Sequence, residues 1–364
     1  MKLSKLYLLL LLVLISNGCL VNDELNKPYE SFVPQDIGDG LEISTPSEEN
    51  IDPDALEQIY IELYDAEDLW SLRSMLVFRN GKLVAESYLK DENHIVEKNL
   101  IWSCTKQVMG VLTGIALEQQ LISRLSDSIG TYLNFTESSQ SEKYGITIED
   151  LLTMRSGIGY SNDGLGGETD LLLRKIPEKM TEFILDLPQK YIPGKEFDYK
   201  DGDPNLLSAV IQNMAKKPTD EWANEVLFSK IGFKNYDWVR YKDGTTFGGF
   251  GLVTTPRELS KIAQLVADSG RWKGEQIVSS DWINSMLSEQ ANVKDSDFSF
   301  GYYWWLDKTR NIQFMWGHGG QFAFIVPDKD MIVVMTSIPN TQGDYQIDAN
   351  EALKVVDKII EISQ

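Results

Sequence analysis

The order of segments predicts an α/β fold of the α+β kind: an antiparallel sheet flanked by terminal helices, with a largely helical region inserted into it. Three observations carry this expectation. A hairpin pattern comes early, helical periodicity fills the chain from Ser103 to about residue 235, and strand-like runs return only from Phe300 onward, before a last helix. A sheet fed from both ends of the chain must close across the helical middle.

Asp52-Pro53 has the form of a cap followed by proline at the first helical position, and Leu56, Ile59, Tyr60 and Leu63 follow at helical spacing. The folded domain is expected to begin there and to span 51–364. Ser74 to Arg79 and Lys82 to Leu89 are strand-like on either side of Asn80-Gly81, a pair suited to a tight hairpin turn. Helix starts are expected at Thr147 with Asp150, at Asp203-Pro204, at Pro218, and at Thr255-Pro256-Arg257-Glu258, where a capping box should open a helix through Val266. Phe300 to Leu306, Gln321 to Val326 and Met331 to Thr336 are strand-like, Pro327 to Asp330 form a turn, and a helix runs from about Asn350 to Ile362.

The N-terminus has a different character. Lys2 and Lys5 precede an apolar run from Leu6 to Ile15, too short to span a bilayer and laid out like a secretory signal. Residues 1–19 end in Ile15-Ser16-Asn17-Gly18-Cys19, which resembles a bacterial lipoprotein box, with Ser16 where such boxes usually carry leucine. The expectation is an exported lipoprotein whose only membrane contact is a lipid on Cys19. Residues 20–50 are polar, acidic and broken by Pro28, Pro34, Gly38, Gly40 and Pro46, and are expected to form a flexible tether. The net charge of -21 argues against a nucleic-acid partner, which would need clustered Lys and Arg.

The chemistry is expected at Trp102-Ser103-Cys104-Thr105-Lys106. Val108, Val111, Leu112, Ile115 and Ala116 recur at helical spacing after it, so Ser103 and Lys106 should share a face in the first helical turn. There the positive end of the helix dipole favours a serine alkoxide and the Ser103 N–H can donate to an oxyanion. A desolvated lysine can titrate low enough to take a proton. The other Ser-x-x-Lys, Ser87 to Lys90, ends a strand, where those side chains point to opposite faces.

Little other chemistry is available. There are only two histidines, His94 and His318, and no H-E-x-x-H, paired C-x-x-C, P-loop or G-x-S-x-G pattern. Cys104 is the alternative nucleophile, but an isolated cysteine on a helix is most often a small buried residue.

Five blocks in order bring out a resemblance: Trp102 to Lys106, Ile146 to Gly157 (I-T-I-E-D-L-L-T-M-R-S-G), Pro193 to Tyr199 (P-G-K-E-F-D-Y), Gly248 to Leu259, and Gly317-His318-Gly319-Gly320-Gln321. Over about residues 50 to 360 the chain resembles the serine β-lactamase-related family of class C β-lactamases, D-Ala-D-Ala carboxypeptidases, esterases and 6-aminohexanoate-dimer hydrolases. The resemblance implies a β-lactamase/transpeptidase-like fold and a serine hydrolase that cleaves an ester or amide through an acyl-serine intermediate. It implies Ser103 as nucleophile, Lys106 as proton-handling partner, and no metal or organic cofactor. The family's tyrosine has two candidates: Tyr160-Ser161-Asn162 is a literal Y-x-N, while Tyr199-Lys200-Asp201 follows the expected block and is preferred on order. Asp201 stands where many relatives carry Asn. His318-Gly319-Gly320 matches the third family motif, a strand lining the cleft, with His318 orienting Tyr199 or a substrate polar group. The Gln321 N–H would then complete an oxyanion hole with that of Ser103.

The substrate is expected to be a small-molecule or peptide-like acyl compound, and His318 in place of lysine moves the site away from the class C pattern. A glycine-bearing loop with Gly164, Gly166 and Gly167 is expected to shape the pocket. Two rival readings remain: a catalytically weak penicillin- or peptidoglycan-binding lipoprotein, and a purely structural one.

Overall fold

The computed structural model describes residues 26–133, 135, 138–159, 178–294, 296–339 and 346–364. Cys19 and its apolar run, Tyr160-Ser161-Asn162 and the glycine-bearing loop fall outside the described residues.

Helix α1 (Pro53–Asp65) starts where Asp52 accepts hydrogen bonds from the backbone N–H groups of Asp54 and Ala55. The hairpin follows as β1 (Leu72–Arg79) and β2 (Lys82–Tyr88). Asn80 (φ 52°) and Gly81 (φ 75°) form its turn, with the left-handed pair that matches strand twist. Next comes α2 (Cys104–Glu118), buried around its whole circumference as far as Ala116. The helical middle includes a short helix Ile148–Leu152 with a complete Thr147–Asp150 capping box, then α3 (Gly202–Ala215) and α4 (Pro256–Ala267). The chain then forms β3 (Ala291–Asn292), β4 (Ser299–Phe300), β5 (Trp305–Asp307), β6 (Ile312–Gly317), β7 (Gln321–Val326), β8 (Met331–Ser337) and the amphipathic α5 (Ala349–Glu361).

Among the described residues these strands make one antiparallel sheet in the order β2-β1-β8-β7-β6-β5-β4-β3. The first strand therefore pairs with the last: Leu76 lies opposite Val334 and Phe78 opposite Ile332. This is the closure across the helical middle that the segment order requires.

Four local expectations are corrected. The run from Phe300 to Leu306 is not one strand. It breaks into β4 and β5, because Tyr303 takes a left-handed conformation (φ 66°) between them. The strand β6 was not foreseen. At Thr255 only half of the capping box forms: Thr255 accepts from the Glu258 N–H, but the Glu258 carboxylate turns to the Asn235 N–H (3.2 Å) and Lys261 (3.0 Å).

The largest correction concerns the tether. From Asn26 on, the chain lies along the outer edge of β2, with Glu86 N–H donating to Phe32 O (2.8 Å), Leu83 N–H to Glu42 O (2.8 Å) and Ser44 N–H to Leu83 O (3.0 Å). An exposed strand edge has backbone groups to satisfy, and this polar segment satisfies them. Phe32 stacks on Tyr60 (5.4 Å between ring centres), and Arg257 ties the segment to the sheet through Glu86 (2.5 Å), Gln35 O (2.5 Å) and Asp39 (3.1 Å).

Arg257 and Glu86 are each 2% exposed at the side chain. Replacing Glu86 with alanine leaves a buried guanidinium short of its main partner, and is expected to destabilise the domain by about 3 kcal/mol. Urea unfolding of wild type and Glu86→Ala measures this; a loss under about 1 kcal/mol would contradict it.

Candidate active site

Ser103 occupies the N-cap position of α2, and its side chain makes no capping bond. The hydroxyl is therefore not spent on capping the helix. The preceding residue, Trp102, has φ 50°, a left-handed conformation costly for a bulky side chain. It is held by Thr105 Oγ1 donating to Trp102 O (2.7 Å), by Ile101 N–H donating to Leu252 O (3.1 Å), and by ring contacts with Phe250 (6.4 Å) and His318 (5.0 Å). This turn sets Ser103 at the mouth of the helix.

Lys106, one turn into α2, is fully buried. Its ammonium donates to Ser103 Oγ (2.8 Å), Asp201 Oδ1 (2.5 Å) and Gly249 O (2.8 Å). An ammonium has three N–H donors and no lone pair, so these three acceptors satisfy the charged form completely. Burial pulls Lys106 toward the neutral form, but Asp201 and then Tyr199 more than offset it, and the net direction is upward. The expectation of a low-titrating lysine is thereby corrected: Lys106 is a cation at neutral pH, and the reason is Asp201.

Asp201 comes from the segment leading into α3 and is 3% exposed. It too makes no capping bond; its carboxylate turns inward to Lys106. Gly249 must lack a side chain for this to happen, since a Cβ there would lie 3.0 Å from both Cβ and Oδ1 of Asp201. Asn205, a turn further along α3, holds the glycine segment by accepting from the N–H groups of Gly248 (2.8 Å) and Gly249 (3.2 Å). Sequence reasoning noticed Asp201 only as a departure from a motif. Its signal was available all the same: an acid two residues after the candidate tyrosine, in a chain with a lysine that needed a partner.

Tyr199 lies beside Ser103 and Lys106, with the Lys106 ammonium 4.9 Å from its ring centre. Trp305 (5.7 Å) and Phe300 (6.2 Å) hold the ring from the sheet side. Burial raises the phenol, Lys106 and the Ser103 hydrogen bond oppose this, and the net direction is upward. Tyr199 is a neutral phenol at pH 7.

His318, Gly319 and Gly320 are not on a strand. They form the turn from β6 to β7, with Gly319 and Gly320 at φ 78° and 88°. These glycines are required by the fold itself: a Cβ on Gly319 would come within 2.7 Å of Pro339, and one on Gly320 within 2.8 Å of Ser337 Oγ. The ring that His318 meets is Trp102, and Tyr199 is positioned by Trp305 and Phe300. Gln321 opens β7 beside α2, since its carbonyl accepts from Cys104 Sγ (3.4 Å). Its side chain is buried and donates to Ser337 O (2.7 Å), which leaves the backbone as the part that could face a substrate. Cys104 is buried, and burial pushes its thiol far up, so it is not a nucleophile.

Asp203, two residues past Asp201, braces the neighbouring segment: it accepts from Ser156 Oγ (2.6 Å) and the Ser156 N–H (3.4 Å). It is fully buried, and burial lifts its carboxyl to about 6, against opposition from Lys200 and Ser156.

An antiparallel sheet closed by both chain ends, with a helical region over one side and a buried helix opening on a serine between them, defines a protein of the β-lactamase/transpeptidase-like class. The family model described as Beta-lactamase matches residues 74–357, and the chain belongs to that family. It is 23% identical over 350 residues to 6-aminohexanoate-dimer hydrolase of Paenarthrobacter ureafaciens, covering 86% of each chain. Among solved structures it is similar to a putative 6-aminohexanoate-dimer hydrolase from Bacillus anthracis (TM-score 0.70, 21% identity, 93% of this chain and 87% of that one). It is also similar to a putative beta-lactamase from Bacteroides dorei (TM-score 0.70, 16% identity, 86% and 99%). The protein is a β-lactamase-related hydrolase.

With its carboxyl at about 6 in the folded state and 3.8 ordinarily, Asp203 makes the folded protein hold the extra proton between those values. Its contribution to stability therefore falls as pH rises from about 4 to 6 and then levels off. In Asp203→Asn this decline should vanish, so that the variant gains up to about 3 kcal/mol on wild type between pH 4 and pH 8. Parallel denaturant titrations at the two pH values test this; equal slopes for both proteins would refute it.

Proposed function

We propose that the chain is a serine hydrolase that cleaves an ester or amide through an acyl-serine intermediate on Ser103. The single observation that supports this most is the contact between Ser103 Oγ and the fully satisfied Lys106 ammonium (2.8 Å), with the ring of Tyr199 beside that ammonium.

Because Lys106 has no lone pair at rest, the serine proton goes to Tyr199 in its minor phenolate form, which the adjacent ammonium stabilises. Ser103 Oγ attacks the acyl carbon and the carbonyl oxygen becomes an oxyanion facing the Ser103 and Gln321 N–H groups. Tyr199 returns the proton to the departing alcohol or amine. Water then attacks the acyl-serine and gives its proton to the Tyr199 phenolate, which passes it to Ser103 Oγ as the acyl–oxygen bond breaks and the acid leaves. The relatives named 6-aminohexanoate-dimer hydrolase support linear amides and esters as the substrate class.

We also propose, from the sequence, that the protein is exported and anchored by a lipid on Cys19. Among the described residues no helix is long and apolar enough to cross a membrane.

Intact-protein mass after incubation of residues 20–364 with a fluorophosphonate should increase by one adduct, and Ser103→Ala should show none. No adduct on wild type would remove the acyl-serine reading, and a penicilloyl adduct that persists without turnover would favour a binding protein. Tyr199→Phe should lower acylation by about 10²- to 10⁴-fold. In wild type the acylation rate should climb with pH between about pH 6 and pH 9, since the phenolate fraction grows about tenfold per unit below the tyrosine's raised pKa. A flat profile over that range would exclude Tyr199 as the base.

A further inference from the structure

We propose that Lys200 is a positioning residue for the reaction: it fastens the back of the segment carrying Tyr199 to the stretch 154–158, and so sets where the Tyr199 phenol stands relative to Ser103. The inference rests on the acyl-serine reading above, with Tyr199 as the base.

Residues 198–201 lead into α3 and belong to no helix or strand. No ladder of backbone hydrogen bonds holds them, so their side chains must. Their contacts alternate in direction, as on an extended chain. Tyr199 and Asp201 meet Lys106 on the side of the nucleophile. Asp198 and Lys200 pair with each other instead: the Lys200 ammonium donates to Asp198 Oδ2 (2.9 Å) and to Ile158 O (2.6 Å). One face of the segment thus carries the chemistry and the other carries its fastening.

The stretch behind it is held from both sides. Toward the segment, Met154 O accepts from the Asp198 N–H (2.9 Å) and Ser156 Oγ donates to Asp203 (2.6 Å). On the far side, Gln189 Nε2 donates to Ser156 O (2.8 Å), the Lys190 N–H donates to Gly157 O (2.8 Å), and Ile158 bridges to Gln189. The Lys200 side chain is 0% exposed and that of Asp198 28%. A buried ion pair adds little net stability over apolar side chains of the same volume. What this one adds is direction, because its acceptors are fixed points on either side. Proton transfer between Ser103 and Tyr199 depends steeply on that placement, since a shift of about 1 Å can cost about 10²-fold in rate.

The test is the second-order rate constant for fluorophosphonate labelling of Ser103, in a double-mutant cycle of Lys200→Met with Tyr199→Phe. Against wild type, Lys200→Met should slow labelling by about 10- to 100-fold. In the Tyr199→Phe background it should cost no more than about twofold, because the group it positions is gone. A merely structural role would slow labelling by the same factor in both backgrounds. That result overturns the proposal, and so does full-rate labelling in Lys200→Met. Losing Lys200 also removes the charge that opposes burial of the Asp203 carboxyl. Asp203→Asn, which removes that carboxylate and keeps an acceptor for Ser156, is therefore measured alongside and should stay within about twofold of wild type. A loss as large as that of Lys200→Met would assign the effect to Asp203 and overturn the proposal. If Lys200→Met fails to fold, Asp198→Asn combined with Lys200→Met removes both members of the pair and strands no buried charge; the same cycle then decides. No labelling of wild type, or undiminished labelling in Tyr199→Phe, would bring down the acyl-serine reading or its base, and this inference with it.

Discussion

The buried contact between Lys106 and Asp201 is the constraint on which the rest of the site depends. Two charges withdrawn from water cost several kcal/mol each unless every donor and acceptor finds a partner. Here that requirement reaches into four stretches of chain: Ser103 and Lys106 on α2, Tyr199 and Asp201 ahead of α3, Asn205 within it, and the Gly248-Gly249 segment. None of these can move without leaving a buried charge unsatisfied. The same pairing fixes the protonation states, an ammonium beside a neutral phenol, and the proposed proton transfer through Tyr199 rests on them.

Around this pair, the sheet provides the opposite wall. Because β1 from the start of the domain pairs with β8 from its end, β6 and β7 lie against the first turn of α2. Their connecting turn carries His318 against Trp102, the residue whose left-handed backbone sets the angle of Ser103. Strain of about 1–3 kcal/mol at such a residue survives only where neighbours over-determine it. Thr105, Leu252, Phe250 and His318 all converge there.

Much of the architecture was legible because it follows from local signals that tertiary packing reinforces: Asn80-Gly81 for the hairpin, Asp52-Pro53 and Thr147 with Asp150 for helix starts, and apolar spacing for α1, α2 and α5. The errors have specific causes. Residues 26–50 look disordered by composition, yet the edge of β2 offers them backbone partners, and composition carries no information about an edge waiting elsewhere. Strand β6 (I-Q-F-M-W-G) lacks clean alternation because it is central in the sheet and packed on both faces along most of its length. Glu258 abandons its cap because Lys261 and Asn235 compete for it.

The sequence by itself determined the family, the fold class and the serine–lysine spacing, because these rest on periodicity and on residues close together in the chain. The tertiary structure decided the charge state of Lys106, the environment of Tyr199, the turn that carries His318, and the partnership of Asp201. These depend on electrostatics at distances of a few ångströms between groups 95 positions apart, and chain order says nothing about how deeply a group is buried or which charge it will meet there.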